Sequence, residues 1–172
     1  MATSSTWPSL LALILMLGST LVSGIFFAFS TFIMKALGRV TSEEGMVSMQ
    51  SINVVVVNPW VFSVFLGTAI LSLATMVITL RAENLFGAPW LLLGAALYFF
   101  GCFLVTGLLH VPMNESLAEV GPQTAHWEEL WRAYQERWTA WNHVRTGASF
   151  LAAVAFGVFL LKVPAALPTS GG

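Results

Sequence analysis

The side chains of this chain that can do chemistry crowd into a few short stretches. Trp138, Trp141, Asn142, His143 and Arg145 stand at the entrance to the last apolar run, and His110, Pro112 and Asn114 at the exit of the one before it. Asn142 and Arg145 are three residues apart, so on a helix they project from one face, with Trp138 four before Asn142 and Ser149 four after Arg145. A guanidinium beside an amide can hold an anion, and an imidazole can take a proton. The plainer reading has Arg145 snorkelling to lipid headgroups or marking a span end. His143 lies about 100° round the helix from Asn142, a weaker candidate that a structural interfacial histidine would also explain.

Aromatic residues extend this group. Trp127, Trp131, Tyr134, Trp138 and Trp141 recur at spacings of three and four and form a stripe leading into the last run. An interfacial belt explains Trp138 and Trp141, as it does Trp7, Trp60 and Trp90 at the starts of the other runs. Trp127 and Trp131 lie roughly 21 and 15 Å upstream of Trp141 along a helix. They can pack over a bundle mouth against Met46 and Met49, or wall a pocket for a flat apolar ligand.

The elements that must position these residues are membrane spans. Of 172 residues, 57% are hydrophobic and 9% charged, with a net charge of −1; the mean hydropathy is +0.81. So few charges cannot cover a soluble globule, and the apolar content excludes disorder. The charge balance offers nucleic acid no basic footprint, and the single cysteine, Cys102, excludes an intrachain disulfide. Four runs reach the length of about 20 residues that a span needs: 10–34, 60–80, 90–109 and 144–161. The N-terminal run has no basic n-region and continues far past Ser19 and Ser23, so it reads as an uncleaved span. The fold class is all-α: one four-span integral membrane bundle over 1–172, with residues 163–172 a flexible tail.

The connections differ. Residues 81–89 make a short turn with Asn84 and Gly87. In the first long connection, Thr41 and Glu44 form a capping-box pattern that starts an amphipathic helix near Ser42, which ends before Pro59. Val54 to Val57 can dip into the interface or lengthen the second span. In the second, Glu128, Arg132 and Glu136 at i,i+4 spacing predict a helix that runs unbroken into the fourth span. Both long connections lie on one side, with Lys35, Arg39, Arg132 and Arg137 against Arg81 and Lys162 on the other, which makes them cytoplasmic in a bacterial inner membrane. Asn53, Asn58, His110, Asn114, His126, Asn142, His143 and Arg145 all fall on that side.

Polar stripes run inward from it. Tyr98, Cys102, Thr106 and His110 recur every four residues; Thr68, Ser72, Thr75 and Thr79 share a face of the second span, and Ser23, Phe27 and Ser30 one of the first. Small and hydroxyl residues there act as helix–helix glue; a histidine inside lipid costs more and asks for a reason. No dinucleotide fingerprint, phosphate loop or haem-attachment motif appears. A metal or haem held by His110, His126 and His143 has no ligand spacing behind it, so the expectation is no metal and no cofactor.

Asn58-Pro59, the exit His110-Val-Pro112-Met-Asn114, the run Gly24 to Ser30 and above all Trp138-Thr-Ala-Trp141-Asn142-His143-Val-Arg145-Thr146 resemble the small four-span membrane family that includes the anthrone oxygenases of aromatic polyketide pathways. The family's Pro-x-Asn and Asn-x-x-Arg elements match Pro112/Asn114 and Asn142/Arg145; no family histidine obviously matches His143. The resemblance implies oxidation of a ring CH₂ to a quinone carbonyl by O₂ without flavin or haem. It implies His110 or His143 as base, Arg145 with Asn142 and Asn114 holding the anion, and Trp131, Trp138, Trp141, Tyr98, Asn53 and Asn58 around the substrate. The partners would be a hydrophobic aromatic molecule, O₂ and the bilayer.

Three classes compete. A transporter lacks an acidic partner within any span and any inverted repeat. A non-catalytic membrane binding or scaffold protein would use the same asparagines and arginine to lock helix ends. An open pocket beside Asn114, Asn142 and Arg145 favours an oxygenase, and a sealed cluster favours the scaffold. Small residues such as Ser63 and Gly67 permit a homo-oligomer or tighter internal packing equally.

Overall fold

Within lipid every backbone N–H and C=O must be satisfied by its own segment, which a helix achieves. In the computed structural model, which describes residues 6–82 and 85–162, four helices are long and apolar enough to cross a membrane: α1 (Trp7–Leu37), α3 (Pro59–Arg81), α4 (Ala88–Ala118) and α5 (Trp127–Lys162). A shorter helix, α2 (Ser42–Val55), fills the first long connection. No strand occurs among the described residues. The tail expected at 163–172 lies outside them, as does Asn84 of the short turn.

Local chemistry fixes the ends. Thr41 Oγ1 accepts from the Glu44 N–H at 3.3 Å while Glu44 Oε2 accepts from the Thr41 N–H at 3.1 Å, the reciprocal bonds of a capping box. The Thr41 hydroxyl also donates to that carboxylate and, with the backbone bond second, holds the Glu44 carboxyl below its ordinary range. Asn58 Oδ1 accepts from the N–H groups of Trp60 and Val61, both at 3.1 Å, and caps α3. That cap settles the Val54–Val57 alternative: α2 ends at Val55 and a new helix starts at Pro59, so these valines do not lengthen the second span. Gly87, with φ of 76°, makes the left-handed turn into α4, where a Cβ would also strike the Phe159 ring.

α1 and α5 run antiparallel, since Met16 meets Gly157, Ser23 meets Thr146 and Ser30 meets Asn142. The mid-membrane core joins Leu15, Ala69, Leu91, Tyr98, Ala152 and Phe156. A second core lies at the mouth, where Trp131, Tyr134 and Trp138 pack on Met34, Met46, Met49 and Leu117. The 36 residues of α5 span about 54 Å at 1.5 Å per residue, so its first turns stand well beyond a hydrocarbon core of about 30 Å.

Two spans are not purely α-helical. α1 contains a π-helical turn at Phe29–Ile33, and α4 is π-helical over Leu97–Leu104 and Thr106–His110. A four-residue step drifts about 40° round an α-helix; the wider i→i+5 turn offsets that drift. Hence Tyr98, Cys102 and His110 are all buried and Thr106 half-buried on one continuous line. The face expected on α1 is corrected: Phe27 is 59% exposed, and the inward positions are Ser19, Ser23, Phe26 and Ser30, because 23, 26 and 30 follow the helical period more closely. The Ser/Thr glue holds in part: Ser23 and Ser30 bond Thr146 across to α5, whereas Thr68, Thr75 and Thr106 donate to carbonyls one turn back in their own helices at 2.7–2.8 Å.

Candidate functional site

At the mouth the polar residues form two layers joined by Trp138. In the upper layer Asn114 Oδ1 accepts from Tyr134 Oη–H at 2.9 Å and from Trp138 Nε1–H at 3.0 Å. Asn53 Nδ2 donates to the same Tyr134 oxygen at 3.4 Å. α2 is strapped over this layer by Gln50, whose amide donates to the Leu117 and Val120 carbonyls at 2.8 Å each. Trp131 stacks on Tyr134 with centroids 5.7 Å apart.

The lower layer is centred on Arg145, 3% exposed, and Asn142, fully buried. Arg145 Nη2 donates to Asn142 Oδ1 at 2.7 Å and Nη1 to Thr106 Oγ1 at 3.3 Å. Asn142 Nδ2 donates to the Phe26 carbonyl and to Ser30 Oγ, both at 2.8 Å. The guanidinium sits 4.1 Å from the Phe26 ring centroid and 5.1 Å from that of Trp138. Its Nε has no partner. The ion pair present among the described residues is His126–Glu129 at the surface, so no carboxylate neutralises Arg145. A buried cation held by rings and neutral acceptors has spare capacity for an anion.

His110, 1% exposed, also touches Trp138, its ring edge-on to the indole with centroids 5.1 Å apart. Nε2 lies 3.3 Å from the Trp138 carbonyl oxygen and Nδ1 3.5 Å from that of Val105. A neutral imidazole has one N–H and can donate to one of these carbonyls. On accepting a proton it would donate to both.

The sequence-derived candidates therefore divide. His110, Asn114, Trp138, Asn142 and Arg145 come together, with Asn53 and Trp131 in the upper layer. Tyr98 lies deeper, fully buried, its hydroxyl donating to the Phe65 carbonyl at 3.1 Å. Asn58 is not part of the group, because its side chain is spent on the α3 cap. His143 and Trp141 are exposed: the inward positions of α5 run Trp131, Tyr134, Trp138, Asn142, Arg145 and Ser149, and both fall beside that line. The stripe expected through Trp141 thus ends at Trp138. His110, His126 and His143 are not gathered, and no cluster of three metal-ligating side chains occurs among the described residues. Phe26, Ser30 and Thr106 complete the site. Ser30 and Thr106 stood on polar stripes, whereas Phe26, though on the same helical face as Ser23 and Ser30, reaches Arg145 from another helix, a meeting that spacing does not reveal.

Two open clefts flank the mouth. One, of about 620 Å³, runs between the end of α1 and α5 and is lined by Ser30, Lys35, Arg132 and His143 among others. The other, of about 430 Å³, lies between α4 and α5 by Pro112, Met113 and Tyr134. Neither cleft is lined by Asn114, Asn142 or Arg145, so the cluster itself is sealed, the arrangement that favours the scaffold.

No curated protein and no solved structure matches the chain. A family match does exist, and it runs from the Pro59 that opens α3 to Ala155, ten residues past Arg145. It takes in both layers of the mouth except the parts given by α1 and α2, and covers more than half of the chain. By that match the protein belongs to the anthrone oxygenase family.

Proposed function

We propose that this membrane protein oxidises a flat, apolar aromatic substrate of the anthrone type to a quinone with O₂, in a bacterial inner membrane with the long connections cytoplasmic. The observation that carries the reading is Arg145, a buried cation with no carboxylate and an unpartnered Nε, held between two aromatic rings. Its natural complement is an anion on a flat ring.

The chemistry needs a base, an anion holder and a dry pocket. His110 removes a proton from the ring CH₂, leaving an electron-rich anthrolate whose oxygen Arg145 holds, with Asn142 Oδ1 orienting the guanidinium. O₂ bonds to the deprotonated carbon as the substrate supplies the electrons. The hydroperoxide that results loses water, so one oxygen atom ends in the new carbonyl and the other in water. Flavin, haem and metal have no assigned step. Asn114 positions Trp138 and Tyr134 rather than the anion itself.

Purified protein is assayed for anthrone-to-anthraquinone conversion under air, with spontaneous autoxidation subtracted and with chelator and Arg145→Ala arms. Conversion above background, indifferent to chelator and lost in the variant, is expected; conversion retained by Arg145→Ala removes the anion-holding role. The sealing of Asn142 against the Phe26 carbonyl favours a second reading, a scaffold whose amide and guanidinium lock α1 to α5. Conversion no faster than background selects it.

A further inference from the structure

The larger cleft shares one residue with the buried site. Ser30 lines it, and the same Oγ accepts from Asn142 at 2.8 Å and bonds the Thr146 hydroxyl at 3.0 Å. Ser30 also sits on the π-helical turn of α1, a wider and less regular segment of the kind found at functional positions. Ser30 is thus a latch that links the cleft wall to Asn142 and, through it, to Arg145. The cleft's volume of about 620 Å³ falls within the range of about 300–1,000 Å³ usual for small-molecule sites. Its rim carries the cations Lys35 and Arg132, with Glu136 as its acid and His143 beside them. Neither cation has a carboxylate within 4.0 Å among the described residues, Glu136 included. The smaller cleft has Arg137 as its cation and reaches Tyr134, which bonds neither Asn142 nor Arg145.

We infer that the α1–α5 cleft is the entrance for the substrate, and that the substrate is an aromatic acid. Its carboxylate rests on Lys35 and Arg132, its rings lie over Met34 and Ala140, and its reactive end faces the Ser30 latch. The placing of the reactive end rests on the oxygenase reading; the cleft's ligand class does not. A neutral ring system partitions into the bilayer with no fixed direction, whereas a charged group held at the rim gives the molecule one leading end.

The buried Cys102 is the chain's single cysteine, so an engineered surface thiol reports alone. Full-length Ala140→Cys and, for the smaller cleft, Ala133→Cys are labelled with maleimide in zwitterionic vesicles. Anthraquinone-2-carboxylate or neutral anthraquinone serves as protectant, and wild type gives the baseline. The carboxylate is expected to protect position 140 and not 133. Half-protection should need about tenfold more of it in the Lys35→Gln/Arg132→Gln background, as for two part-exposed ion pairs lost. Protection at 133 instead, equal protection by the neutral quinone, or none at either position overturns the inference. Intact protection with no anthrone oxidation removes the oxygenase reading and leaves the aromatic-acid site standing.

Discussion

Arg145 is where a functional and a structural role give opposite signs. Burying an unpaired guanidinium costs stability, and replacing a buried charge by an apolar side chain of similar volume is often neutral or stabilising. Arg145→Met removes that cost but strips Asn142 Oδ1 of its donor, which costs about 1–3 kcal/mol; the two terms oppose, so the melting temperature in detergent should change little while Asn142 keeps its bonds to Phe26 and Ser30. If Arg145 holds the developing anion, turnover falls by about 10²–10³-fold, as for loss of an oxyanion donor. A melting point several degrees lower would mark the residue as a helix lock. Asn114 has the contrary profile. Asn114→Leu strips the shared acceptor from Tyr134 and Trp138 and should cost about 1–3 kcal/mol, read as a lower melting temperature, with indole emission shifting as Trp138 loosens. At this scale the sequence was a good guide wherever two groups share a helix, as Asn142 and Arg145 do. It could put Phe26 on the inward face with Ser23 and Ser30 but not say which cation its ring would meet, because that is chosen by packing between helices.

Helix-level behaviour turns on how closely the spans approach. A Cβ on Gly101 would lie 2.6 Å from Ala148 Cβ, an atom that cannot swing aside. Gly101→Val should push α4 off α5, at about 1–3 kcal/mol as overpacking costs, and shift Thr106 away from Arg145, so stability and turnover fall together. Gly67 meets nothing within 4 Å; Gly67→Ala should be neutral or stabilising by up to about 1 kcal/mol, which makes it the control. For α2, the Glu44 carboxyl is held low by Thr41, so its contribution is present above the unfolded carboxyl's range and lost as pH falls through the folded value. Amide exchange in the first turn of α2 should accordingly quicken in acid, and Glu44→Gln should remove that dependence. The helices themselves were legible: hydropathy marked four spans, the capping box marked the start of α2, and the i,i+4 charges joined the last connection to α5. The π-helical turns were not. They differ from α-helix by one step in hydrogen-bond pairing and have no residue signature, yet they explain how a strict four-residue repeat from Tyr98 to His110 stays on one face.

At the scale of the whole molecule, the charge bias and the proposed orientation make a simple statement about sidedness. Cysteines placed at Glu43 and Glu128, both exposed, should react with an impermeant maleimide from the cytoplasmic side of inverted vesicles, and one at Ala82 only from the other; the reverse pattern would invert the topology and the entry route with it. The distribution of interhelical ties has a mechanical consequence. Ser30, Asn114, Asn142, Arg145 and Gln50 knot the helices together around the mouth, whereas among the described residues α3 has one such tie to another span, Phe65 to Tyr98. Below the mouth the spans meet mainly through apolar side chains, and the buried hydroxyls of Ser19, Ser72 and Thr79 bond to no neighbouring helix, so small shifts break few hydrogen bonds. The distal half can therefore tilt to suit bilayers of different thickness while the knotted end keeps its register, so turnover in vesicles of short and long acyl chains should be nearly the same.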